Sequence, residues 1–125
     1  MVNSAQPIYH MCTLAEWRAA EDEGVYRGSS QDAVDGFIHF STAAQVRASA
    51  AKHRAGQEGL VLLTATAQAM GDALKWEEAR GGDLFPHLYG ALPVDAVSDV
   101  RDLPLDADGR HAFPPGIPSP EGALE

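Results

Sequence analysis

Three histidines sit in similar polar and aromatic company: His10 in IYHM, His39 in GFIHFST and His87 in FPHLYG. Imidazole can donate to a hydroxyl, move a proton near neutral pH or ligate a metal. His10 and His39 are linked by a further regularity. Offset by 29 positions, IYHMCTLAEW (8–17) matches FIHFSTAAQV (37–46) in kind, aligning Thr13 with Thr42 and Glu16 with Gln45. Each unit reads as strand, histidine, two residues, capping threonine, helix. That order sets each ring at a strand end, near the positive end of the following helix. If the two strands are neighbours, both rings share one crevice.

Carboxylates and hydroxyls complete the set. KWEE (75–78) offers Glu77 and Glu78, and on a strand Trp76 and Glu78 share one face while Glu77 takes the other. A carboxylate facing a cleft stabilises developing positive charge or accepts a proton; one facing solvent does neither. Ser41 and Thr42, with the N–H groups of the helix behind them, form a seat for a phosphate or another anion. From Gly36 to Gln57 there is no Asp or Glu, while Arg47, Lys52 and Arg54 give +3 in a chain of net charge -9. A capped helix with a solvated basic face explains the same pattern more plainly. Pro86, Tyr89 and Gly90 around His87 suit a rigid site loop, whereas Phe85, Leu88 and Tyr89 suit a core equally well. Tyr9, Tyr26 and Trp76 can line a pocket for a planar ring; Trp17 fits a core better. His10, His39 and His87 with Glu77 form a zinc-compatible ligand set by type, but no HxH or HExxH spacing accompanies them. Cys12 beside His10 is no sign of a nucleophile, because reactivity needs a depressed pKa. His53 and His111 read as surface positions.

The elements that must hold these groups follow from periodicity and punctuation. A strand is expected at 7–10, and Thr13 with Glu16 opens a helix that Gly24 ends, with Leu14 and Trp17 facing one way. Residues 25–35 read as a polar loop. Strand Phe37–Phe40 follows Gly36, and the Thr42–Gln45 pattern starts a helix through about residue 54. Leu60–Leu63 is too short for a helix and reads as a central strand. Residues 67–74 are a turn or short helix, 75–79 a strand, and 84–90 a segment entered through a Gly81–Gly82–Asp83 turn. Residues 97–105 suit a last strand with Val97, Val100, Leu103 and Leu105 as its apolar set. From Asp106 onward Pro114, Pro115, Pro118 and Pro120 mark a tail on which no structure is imposed.

At 125 residues, with 9 Lys+Arg against 18 Asp+Glu, the chain suits one small domain, placed at 1–105, with a tail at 106–125. No stretch approaches the ~20 apolar residues of a membrane span. The first ten residues lack the basic and apolar segments of a secretory signal, so a cytoplasmic location is expected. One cysteine excludes an internal disulfide. The acidic balance argues against general nucleic-acid binding and leaves a small-molecule partner whose class composition does not name.

IYHM, the Trp17 helix, Gly24 with Tyr26, GFIHFST, Gln45, LVLL, KWEE and FPHLYG, in order over about 7–100, resemble the small bacterial proteins of the domain of unknown function 952 family. That family is grouped with ADP-ribosyltransferase-like proteins. The resemblance implies an α+β fold with a split, bent mixed β-sheet and two or three helices, and NAD as substrate rather than resident cofactor. It implies that His10 holds the ribose, that His39, Ser41 and Thr42 shape the nicotinamide or phosphate pocket, and that Tyr9, Arg47, Trp76 and Tyr89 assist binding. The late-strand glutamate of such transferases is matched by Glu77, Glu78 or His87, which remain alternatives. The reaction implied is transfer or hydrolysis at the ribose C1′. A non-catalytic binder of a nucleotide or other anionic metabolite and a histidine-rich mononuclear metal site are the other readings.

Overall fold

The computed structural model describes residues 6–78, 82–114 and 117. Strand β1 (Pro7–Thr13) leads into helix α1 (Leu14–Glu23), then β2 (Val25–Tyr26) and α2 (Ser30–Asp35). Two-residue strands β3 (Ile38–His39) and β4 (Ser41–Thr42) flank Phe40, followed by α3 (Val46–His53) and β5 (Leu60–Thr66). A short helix α4 (Ala67–Met70), β6 (Leu74–Glu78), β7 (Leu84–Leu88), β8 (Leu92–Pro93) and β9 (Val97–Leu103) complete the order. The α+β class expected from the sequence holds. The strands divide into three sheets, β4-β1-β5-β9, β3-β7-β6 and β2-β8, and each pairing in them is antiparallel.

β1 and β5 are the inner strands of the largest sheet, paired from Pro7–Thr66 to Thr13–Leu60. Both of their faces are covered, so both read as nearly continuous apolar runs. Ile8, Cys12, Val61, Leu63 and Ala65 pack with Trp17, Tyr26, Ile38, Phe40 and Leu88. On the other face Tyr9, Met11, Leu60 and Leu62 pack with Val46, Ala50 and Leu103. Alternation along β1 therefore sends His10 into the first core and Tyr9 into the second.

Several expectations change. β1 runs three residues past His10, because Met11 and Cys12 are buried as well. His10 is thus interior to its strand and not at its end. β1 and β3 lie in different sheets; β4 is what carries the second unit back onto β1, through Tyr9–Ser41 and Ile8–Thr42. The Thr13–Glu16 capping box and the left-handed Gly24 cap form as read. Its counterpart forms only by half: Gln45 Oε1 accepts from the Thr42 N–H, but the helix begins at Val46, with no side-chain cap. Residues 25–35 are not a loop, since they supply β2 and α2. Leu14 and Val100 are exposed, and the β5–β9 register slips at Thr64/Ala65. The described part of the tail is docked: Phe113 and Ile117 pack on the second core, and Leu105 bridges to His111. Ala79 and Gly81, included in the strand and turn expected there, lie outside the described residues.

Candidate functional site

The second sheet makes the site. β3 and β7 pair so that His39 and His87 are direct cross-strand partners, with ring centroids 5.3 Å apart in an edge-on arrangement. The neighbouring Phe37 ring lies 4.5 Å from His39 and stacks on His87 at 4.1 Å, so both imidazoles are wedged against it.

Each ring is backed by carboxylate. Asp32, only 3% exposed, comes from α2, where it closes a capping box by accepting from the Ser29 N–H at 2.8 Å with Oδ2. Its Oδ1 takes the His39 N–H at 3.2 Å and His39 Nδ1 at 2.6 Å. Burial by itself would raise the Asp32 carboxyl. The bond to His39, the nearby His10 ring and the N–H groups of Ser29 and His39 outweigh that and hold it at about 2. On the other side, His39 Nε2 is 3.2 Å from Asp35 Oδ2. Room for Asp32 is made by Gly28. At φ +100° it adopts a left-handed conformation, and a Cβ there would lie 2.7 Å from the Asp32 Cβ. His87 is backed by Glu77, whose Oε1 accepts from His87 Nδ1 at 2.8 Å and from the Tyr89 hydroxyl at 2.7 Å. These two bonds, Tyr89 first, keep the Glu77 carboxyl below its usual range, and the Glu77 contact raises the Tyr89 hydroxyl. Between Glu77 and Glu78, the strand face that meets His87 belongs to Glu77.

His10 is held differently. Its Nδ1 donates to the His39 carbonyl at 2.6 Å, and its Nε2 is 2.7 Å from the Tyr26 hydroxyl. A carbonyl only accepts, so the proton sits on Nδ1 and the Tyr26 hydroxyl donates to Nε2. Burial lowers the His10 pKa, opposed by Asp32, which fits a neutral ring. Burial pushes the neighbouring Cys12 thiol up to about 12 and raises the Tyr26 hydroxyl as well. Cys12 is therefore a packed, unreactive thiol. His10 fixes the backbone of His39 and the junction between the two sheets.

Above these groups lies a cleft of about 740 Å³. Tyr9, His10, His39, Ser41 and His87 line it, as do Asp32, Asp35 and Asp83, and the end of α3 contributes Ser49, Lys52, His53 and Arg54. Thr42, Arg47, Trp76, Glu77 and Tyr89 are not in its lining. Trp76 packs on the first core. Arg47 donates to the Ile117 carbonyl and sits 5.0 Å over the Phe113 ring. The structure thus brings His10, His39 and His87 to one hollow, with Glu77 behind His87. Among the described residues no three His, Cys, Asp or Glu side chains are arranged to hold a metal ion. Asp32, Asp35 and Phe37 were not singled out from sequence. The signal for Asp32 was present, since Ser29-x-x-Asp32 is a capping-box pattern.

A family model described as "Protein of unknown function (DUF952)" matches residues 11–100. The crystal structure of protein CC0527 from Caulobacter crescentus is 48% identical, covering 85% of this chain and 93% of that one, with a TM-score of 0.82. The solution structure of the same protein is 49% identical over 83% of this chain and 90% of that one, with a TM-score of 0.75. No curated protein matches the chain. With nearly three-quarters of its length under the family model and close structural kinship to CC0527, the chain belongs to the DUF952 family.

Proposed function

We propose that the cleft binds a nucleotide of the NAD or ADP-ribose type, with the ribose C1′ beside the His39–His87 pair. One observation carries the reading: two imidazoles in contact, both backed by carboxylates, at the edge of a cleft of nucleotide size. Asp32, Asp35 and Glu77 surround this pair with negative charge. Such a field favours a sugar that becomes positive as its bond to nicotinamide lengthens, and disfavours the anionic transition state of phosphoryl transfer. In hydrolysis the C1′–N bond breaks with its electron pair leaving on nicotinamide. A water oxygen bonds to C1′, and an imidazole takes the proton. The grouping of the family that GFIHFST and FPHLYG resemble with ADP-ribosyltransferase-like proteins supports the same substrate class, by analogy of fold alone.

A specific feature favours a second reading, a non-catalytic nucleotide binder. Both nitrogens of His39 already face carboxylates, at 2.6 Å and 3.2 Å, which leaves neither free to take a proton from water while the ring can still pack against a ligand. Incubation with NAD, followed by chromatography for free nicotinamide, separates the two. Release above a buffer control is expected, falling by about a hundredfold in His39→Ala. No release would remove the enzymatic reading. Calorimetric binding of NAD or ADP-ribose without release would establish the binder, and no binding would end both.

A further inference from the structure

By sequence, Ser41, Thr42 and the N–H groups opening the helix form an anion seat within the +3 stretch 36–57, and the structure removes that seat. The helix begins at Val46, Gln45 has already taken the Thr42 N–H, and Arg47 in the first turn is turned onto the tail. The positive charge that reaches the cleft lies at the other end, in Lys52 and Arg54, with the His53 ring between them. We propose that this last turn, with the Ser49 hydroxyl one turn before it, is a pyrophosphate subsite for the nucleotide whose ribose lies at the histidine pair. The assignment of a nucleotide rests on the reading above; the anion subsite does not.

Three observations meet here. Arg54 is anchored, donating through one terminal nitrogen to the Met11 carbonyl at 3.0 Å and through the other to Gln57 Oε1 at 3.2 Å. Two of its five N–H groups are thereby used, and the guanidinium plane is fixed in advance of any ligand. Lys52 and Arg54 flank the His53 ring at the cleft, and partial burial together with these charges keeps its pKa below the usual value, so the ring is neutral and can donate one hydrogen bond. The helix face leading to it is small, with Ala48 and Ser49 lining the cleft, so a bulky charged group can approach the turn. Cations at the carbonyl end of a helix also complement its dipole. That accounts for a basic residue in the turn, but not for a guanidinium tied to β1 beside a cleft. The carboxylates sharing the cleft, Asp32, Asp35 and Asp83, come from α2 and the entry to β7. Cationic and anionic linings thus belong to different elements, as a ligand with a phosphate end and a ribose end requires.

The test is titration of the full-length, isotope-labelled protein with inorganic pyrophosphate at low salt, followed by amide NMR. The expected result is saturable shifts over Ser49–Arg54, with affinity falling at least about tenfold in the double variant Lys52→Gln/His53→Gln. Both replaced residues are exposed, so this variant keeps its fold where Arg54→Gln risks losing the Met11 anchor. No saturable binding, shifts centred on 43–47, or unchanged affinity in the double variant would each overturn the subsite. The two proposals fail separately. Pyrophosphate binding without nicotinamide release leaves the subsite standing and removes the reaction. Nicotinamide release whose KM is indifferent to Lys52→Gln/His53→Gln does the reverse.

Discussion

Each oxygen of Asp32 is committed to a different neighbour, one to the Ser29 N–H and one to His39, and the side chain is buried at the wall of the cleft. The carboxyl sits at about 2 against an ordinary 3.8, so its ionised form is what the folded state prefers. The stabilisation is fully present above about pH 4 and is lost as pH falls towards 2. Asp32→Asn should therefore cost about 2 kcal/mol at pH 7 in urea unfolding, and the gap from the parent should close between pH 4 and 2. A gap independent of pH would mean that shape, and not charge, is what Asp32 supplies. At this scale the sequence was informative about identity and silent about partnership. His10, His39 and His87 were visible as candidates. That His10 would be a neutral strut and His39 a carboxylate-held ring depended on Tyr26 and Asp32, 16 and 7 positions away.

Elements were legible where their rules are local. The Thr13 box, the Gly24 stop and the apolar run of β5 formed as their residue types require. Short elements were not legible, because two-residue strands such as β2, β3 and β4 draw their stability from partners distant in sequence. The tail belongs to the same lesson. Its prolines suggested no structure, yet it holds the first turn of α3, through Arg47 to Ile117, and the loop after that helix, through the Gln57 carbonyl to His111. Truncation after Ala112 removes Phe113 and Ile117 from the second core. It should lower stability by about 1–2 kcal/mol and speed amide exchange in α3, while the β1–β5 pairing keeps its protection. Unchanged exchange in α3 would show that the helix needs no clamp.

For the whole molecule, burial of a neutral imidazole ties the join between sheets to pH. The His10 pKa is lowered in the folded state, so below about 6.5 the unfolded chain binds a proton that the folded chain resists. Stability is present above that pH and declines as pH falls, with Asp32 adding to the loss only below about 4. The urea midpoint should fall between pH 7 and pH 5, and the fall should be shallower in His10→Gln, whatever that variant's stability at pH 7. An equal slope in the two proteins would mean that another group carries the acid sensitivity.

The motif resemblance added the α+β class, while residue types, caps and apolar runs by themselves determined the central strand, the first helix and the three histidines as candidates. These follow from interactions within a few positions, or from the burial of a continuous apolar stretch. Only the tertiary structure decided that His39 faces His87, that Glu77 and not Glu78 backs it, and that the cationic end of α3 is its last turn. Each is a question of which strand pairs with which, and in which register. A shift of one residue between β3 and β7 would separate the two imidazoles without changing a single local preference.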